Sequence, residues 1–188
     1  MFPLSEADKH SLLALAREAI ERAVREDQPP GAIPSEGVFS RRGRIFVTLR
    51  CHGRLRGCIG TVEPPETLGQ SIIRSAVSAA LEDPRFRALD ATELPDLQIE
   101  ISLLTPPQRI EPDEFEIGRD GLLICRGESR GVLLPQVATE HGLTRARFLE
   151  ETCRKAGLPT SAWKEAGTEI YAFRCEVIAE EERGGENL

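Results

Sequence analysis

At 188 residues and 40 % hydrophobic, the chain can bury a real core as one domain, built in one or two lobes. Its formal net charge of −7 argues against general affinity for nucleic acid or anionic membranes, and no run of about 18 apolar residues is present to span a bilayer. Five cysteines (51, 58, 125, 153 and 175), odd in number and without a CxxC pair, point to reduced thiols; a disulfide framework and a structural zinc site are disfavoured. Met1-Phe2-Pro3-Leu4-Ser5 lacks the basic and apolar regions of a signal peptide, so a cytoplasmic location is expected.

Ser5-Glu6-Ala7-Asp8 has the form of a capping box, with aspartate in place of the usual glutamate. The helix it opens carries Leu12, Leu15, Ala16, Ala19, Ile20, Ala23 and Val24 at three-and-four spacing and should end at Gln28-Pro29-Pro30-Gly31. Ile33-Pro34-Ser35-Glu36-Gly37 is expected to be linker. The β-rich run from Arg44 to Arg50 should pair as a hairpin with Leu55-Arg56-Gly57-Cys58-Ile59-Gly60, across Cys51-His52-Gly53-Arg54. Pro64-Pro65-Glu66 is expected to open a helix whose buried stripe is Leu68, Ile72, Ala76 and Ala79/Ala80.

Asp83-Pro84-Arg85-Phe86 has the form of a stop and a new short turn, with Asp83 as its cap. Residues 97–104 alternate as a strand, placing Gln98, Glu100 and Ser102 on a polar face. Thr105-Pro106-Pro107 breaks both helix and strand and is the candidate boundary between lobes. Beyond it, residues 121–125 and 131–134 flank a hairpin turn. Pro135 begins one helix, Thr144 caps another, and Gly157 stops that one with Cys153 on its apolar side. Residues 170–178 should form the closing strand, and Glu180 onward an acidic tail.

Two glycines in the strand Leu55–Gly60 mark a place where another segment, or a ligand, comes close to the backbone. Period-two alternation puts Arg56, Cys58 and Gly60 on one face and Leu55, Gly57, Ile59 and Thr61 on the other. Around this strand, from Gly37 to Val62, six arginines and no acidic residue occur, which leaves −13 for the remainder of the chain. Such a basic island reads an anion or keeps an exposed hairpin soluble; without interleaved aromatics it is a poor stacking platform for single-stranded nucleic acid.

LRGCIG, followed in order by Asp83-Pro84-Arg85-Phe86, Glu93-Leu94, Leu134-Pro135-Gln136-Val137-Ala138 and Lys155-Ala156-Gly157-Leu158, resembles the AMMECR family, the A protein of the AmmeMemoRadiSam system. The resemblance runs from about Val38 to Phe173. Both the element order and the resemblance imply an α+β fold, with antiparallel sheets flanked by helices. The resemblance further implies a larger lobe of about 1–105 plus 166–180, a smaller lobe of about 106–165, a cleft between them faced by the LRGCIG residues, and a tail at 181–188. One departure from the family is Leu143 after Gly142, where a tryptophan is common.

Function stays open between classes. Cys58 is a candidate nucleophile, with Arg56 and Arg85 to lower its pKa, but a base is hard to place among His10, His52 and His141. Alternatively the site binds a small anionic or modified molecule without catalysis, using Arg56, Gly57, Gly60, Arg85 and Glu100, in a pathway that the resemblance shares with Memo-type and radical SAM proteins. A nucleic-acid-associated regulator is the remaining alternative. No cofactor or metal motif is present: GxGxxG, GxxxxGK[ST] and HExxH are all absent.

Overall fold

The computed structural model describes residues 4–26, 35–62 and 66–181. In chain order they form helix α1 (Glu6–Glu26), strands β1 (Arg42–Cys51), β2 (Arg54–Gly60) and β3 (Glu66–Thr67), and helix α2 (Leu68–Leu81). Strands β4 (Leu97–Leu104), β5 (Gln108–Arg109), β6 (Gly121–Arg126) and β7 (Ser129–Leu133) follow, then helices α3 (Pro135–Glu140) and α4 (Arg145–Lys155), then strands β8 (Glu169–Phe173) and β9 (Cys175–Ala179). The fold is α+β, with two antiparallel sheets flanked by helices. The chain divides into two compact units: one runs up to Leu103 and resumes at Glu176, the other is Leu104–Cys175.

In the first unit the strand order is β2-β1-β4-β9, with β3 beside β1. The capping box at the start of α1 is formed in both directions: Asp8 N–H donates to Ser5 Oγ and Ser5 N–H to Asp8 Oδ2, each at 3.1 Å. Leu12, Ala16, Ala19 and Ile20 of α1 are buried, together with Leu68, Ile72, Ala76 and Ala79 of α2. All but Ala19 share one core with Ile45, Val47 and Leu49 of β1 and Leu97, Ile99 and Ile101 of β4, the alternate residues on one sheet face. Arg17 is buried among them although the apolar stripe omits it. It donates to the carbonyls of Leu94 and Leu97 and forms an ion pair with Glu180, so its charge is matched.

The start of α2 differs from expectation. Glu66 and Thr67 pair with Gly43 and Arg42 as β3, and Thr67 then caps the helix through its hydroxyl, 3.4 Å from Gln70 N. Gln28–Gly31, Ile33-Pro34, Pro64-Pro65 and the tail from 182 lie outside the described residues.

The second unit has strand order β5-β8-β6-β7, with α3 and α4 contributing Ala138, Phe148, Leu149 and Cys153 to a core that also holds Phe115, Leu122, Ile124 and Ile170. The resemblance implies a return to the larger lobe at about 166, and alternation reads 170–178 as one strand. The structure breaks that stretch at Arg174, whose N–H donates to Thr105 Oγ1 at 2.9 Å and whose carbonyl accepts from Thr105 N–H at 2.8 Å. β8 therefore pairs with β5 and β6 in the second unit, and only β9 joins the first sheet.

Gly57 faces α2, where an added Cβ would lie 2.1 Å from the Ala79 carbonyl oxygen. Since that contact is backbone, relief requires the helix to move. Gly57→Ala should lower stability by about 1–3 kcal/mol, measured by urea denaturation; an unchanged midpoint would show that α2 gives way freely.

Candidate functional site

β2 is an edge strand, so every second residue presents its N–H and C=O away from β1. Cys58 is one of these. Thr61 N–H bonds Ile45 O, so the odd-numbered residues face β1 and Cys58 faces outward. The buried carboxylate of Asp83 takes the exposed amide: Cys58 N–H donates to Asp83 Oδ2 at 2.9 Å. Arg85 closes the same ring, donating to Cys58 O at 3.2 Å. The Asp83-Pro84-Arg85 turn after α2 thus does at Cys58 what a neighbouring strand would do.

Asp83 accepts from four donors. Its Oδ1 takes Arg85 N–H at 3.1 Å and Arg85 Nε at 2.9 Å; its Oδ2 takes Cys58 N–H and an Arg85 terminal nitrogen at 2.6 Å. The Arg85 guanidinium, more than its burial, sets its pKa: the carboxyl is held well below the usual carboxylate range. Arg85 is pushed up by the same pairing. Asp83 is 2 % exposed and Arg85 44 % exposed, so the cation is fixed on its inner edge and open on its outer one. The ring of Phe86 also lies under it, 5.4 Å away.

Cys58 lies directly opposite Thr48 of β1. An outward-facing pair of this kind brings side chains close, and Thr48 Oγ1 donates to Cys58 Sγ at 3.3 Å. Gly60 is packed against the β1 backbone, where a Cβ would fall 2.3 Å from Ile45 O. Close approach of protein segments therefore accounts for both glycines. Glu100 pairs with Arg50 at 2.9 Å, so the acidic residue on the polar strand face meets an arginine of the basic island.

Arg56 sits at an irregularity in the pairing. The register shifts between Leu49 and Arg50, leaving Arg56 without a partner on β1. Its guanidinium turns to the 87–93 segment, donating to both oxygens of Glu93 at 2.8 and 3.0 Å and to the carbonyls of Arg87 and Ala88. Hydrogen bonding to Arg56 lowers Glu93 to about 2. Glu93 also closes a capping box with Asp90, so one carboxylate ties the segment to β2. Arg56 is 11 % exposed and fully committed to this clamp.

In the sequence Asp83 is legible only as a cap, and Glu93 carries no role of its own. The spacing Asp-Pro-Arg was the available signal, because a carboxylate turning over proline reaches the amide two residues on. His10 lies on α1, His52 in the β1–β2 turn at 3.5 Å from Asp96, and His141 at the end of α3. None stands on β2 or on the Asp83–Arg85 turn. Among the described residues no cluster of three metal-ligating side chains occurs, and no helix is long and apolar enough to cross a membrane.

A chain with this α+β fold and an Asp-Pro-Arg turn sealing the LRGCIG edge matches the AMMECR1 family model over residues 13–178. It belongs to that family. A protein of Methanothermobacter thermautotrophicus is 42 % identical over 95 % of this chain and 97 % of its own length. One from Pyrococcus furiosus is 41 % identical, covering 96 % of this chain and 92 % of its own. The crystal structure of an uncharacterised protein from Pyrococcus horikoshii matches with a TM-score of 0.90 at 36 % identity, over 98 % of this chain and 97 % of that one.

Because the folded-state pKa values of Asp83 and Glu93 are depressed, the stability they supply is complete above the ordinary carboxylate range, begins to fall below a pH of about 4 and is lost as pH drops through the folded values, about 2 for Glu93 and lower for Asp83. Asp83→Asn should cost about 1–3 kcal/mol at neutral pH, and its deficit should shrink at acid pH. Urea midpoints of parent and variant at both ends of that range check this; a constant deficit would mean the charge is not what holds the turn.

Proposed function

We propose that the protein acts as a binding component through the Cys58–Asp83–Arg85 edge of its first sheet. A small anionic or modified molecule is held against the open side of Arg85, with Cys58 in contact. The observation that carries this is the asymmetry of Arg85: Asp83 and the Cys58 carbonyl fix it, yet its side chain keeps 44 % of its exposure. A positioned guanidinium with an open edge suits a carboxylate or phosphate oxygen pair. The family resemblance supports a role beside Memo-type and radical SAM proteins acting on that molecule.

A catalytic Cys58 is the second reading, favoured by the Thr48 hydroxyl on its sulfur. Asp83 is unsuited as its base, because its two oxygens already accept four hydrogen bonds and it is held ionised. Nucleic-acid binding is least supported, since Arg44, Arg50 and Arg56 of the basic island are turned onto the protein's own acceptors.

Alkylation of each cysteine, followed by mass spectrometry on native protein, tests the binding reading. Millimolar phosphate or a small carboxylate should slow modification of Cys58 in the parent but not in Arg85→Gln, with both proteins equally folded by circular dichroism. In cells lacking the gene, Arg85→Gln and Cys58→Ala should fail to restore function. Full restoration by both variants would remove this edge as the site.

A further inference from the structure

The second unit carries a cavity lined by none of the residues of the Cys58 edge. It has a volume of about 500 Å³ and is lined by Leu133 of β7, Val137 of α3, His141 and Leu143 after α3, and Glu151, Arg154 and Lys155 of α4. That volume is in the range of small-molecule sites, which run from about 300 to 1,000 Å³.

Two helix ends build it. Gly142 follows α3 with φ +57° and Gly157 follows α4 with φ +72°, the left-handed conformation that glycine adopts without strain. Each end closes in the same way: Gly142 N–H bonds Thr139 O and Leu143 N–H bonds Ala138 O, while Gly157 N–H bonds Arg154 O and Leu158 N–H bonds Cys153 O. The first closure folds Leu143 back beside Val137 and Leu133, and all three pack on the unit's core, giving the cavity an aliphatic floor. Both closures also satisfy terminal carbonyls that would otherwise offer a cation its acceptors.

The rim is unequally matched in charge. Glu151 is held by Arg154 at 2.5 Å and Arg147 at 3.2 Å, so its carboxylate is neutralised. Lys155 and His141 have no carboxylate partner among the described residues. An aliphatic floor beneath an ammonium and an imidazole complements a molecule with an apolar body and one negative group.

We propose that this cavity binds an amphiphilic monoanion, an aliphatic or aromatic carboxylate or sulfonate. Its body lies on Leu133, Val137 and Leu143, and its charged group meets Lys155 and His141. The proposal stands apart from the role assigned to Arg85, so either can fail alone.

Anilinonaphthalene sulfonate is a suitable probe, titrated by fluorescence into the full chain at low salt. The expected result is saturable binding to one site, weakened about tenfold by Lys155→Glu, abolished by Val137→Trp and unaffected by Arg85→Gln. Octanoate should displace the probe and octylammonium should not. The proposal is overturned by non-saturable binding, by equal affinity in parent and Lys155→Glu, or by equal competition from the two octyl compounds. Lys155 is exposed, so its variant decides the outcome even where the tryptophan substitution disturbs folding.

Discussion

The first sheet depends on how a buried carboxylate is satisfied. Asp83 sits at 2 % exposure, where an unmatched charge would be expelled, and it is retained because four donors converge on it. Two of those donors are backbone amides, so they cannot swing away. Meeting the demands of this one charge fixes the turn after α2, orients Arg85, and covers the outward amide of an edge strand. A single residue thereby closes the edge strand at Cys58 to further pairing.

The clamp at Arg56 and Glu93 works by a different balance. Both side chains are more accessible than Asp83, so less desolvation opposes their pairing and less net gain comes from it. What the clamp supplies is geometry. Arg56 spans from the bulge in β2 to two carbonyls and a carboxylate on the 87–93 segment, and that segment is itself bonded to α2 through Leu89 N–H on Ala80 O. With Gly57 allowing α2 to rest on the strand, β2 is held by helix, turn and clamp together.

Much of this was legible in the residues. The capping box of α1, the hairpin of β1 and β2, the alternation of β4 and the glycine stop of α4 all follow from local rules, because each is decided within a few residues of chain. Alternation placed Glu100 on the polar face of β4 and left open whether it met solvent or an arginine of the basic island; its pairing with Arg50 depends on β1 lying beside β4. The setting of Arg56 was not legible, because a register shift depends on the partner strand and is invisible in a period-two pattern. Asp83 was readable as a cap but not as the anchor of Cys58, since its second partner lies 25 residues away. The break at Arg174 was hidden for the same reason: strand-forming residues continue through it, and only Thr105 marks the place where the chain changes sheet.

The discontinuity of the first unit bears on how the protein is made. Leu104–Cys175 is one uninterrupted stretch, so every residue of its core precedes β9 in the chain. The other core must wait. Arg17, on the first helix, finds its carboxylate only at Glu180, and that same carboxylate accepts Ile99 N–H. Until β9 and Glu180 are synthesised, a buried guanidinium lacks its counter-charge and the first sheet lacks one of its edge strands. Synthesis of β9 and Glu180 is therefore the event that licenses the first core to close, and a chain halted short of Glu180 leaves that core unfinished.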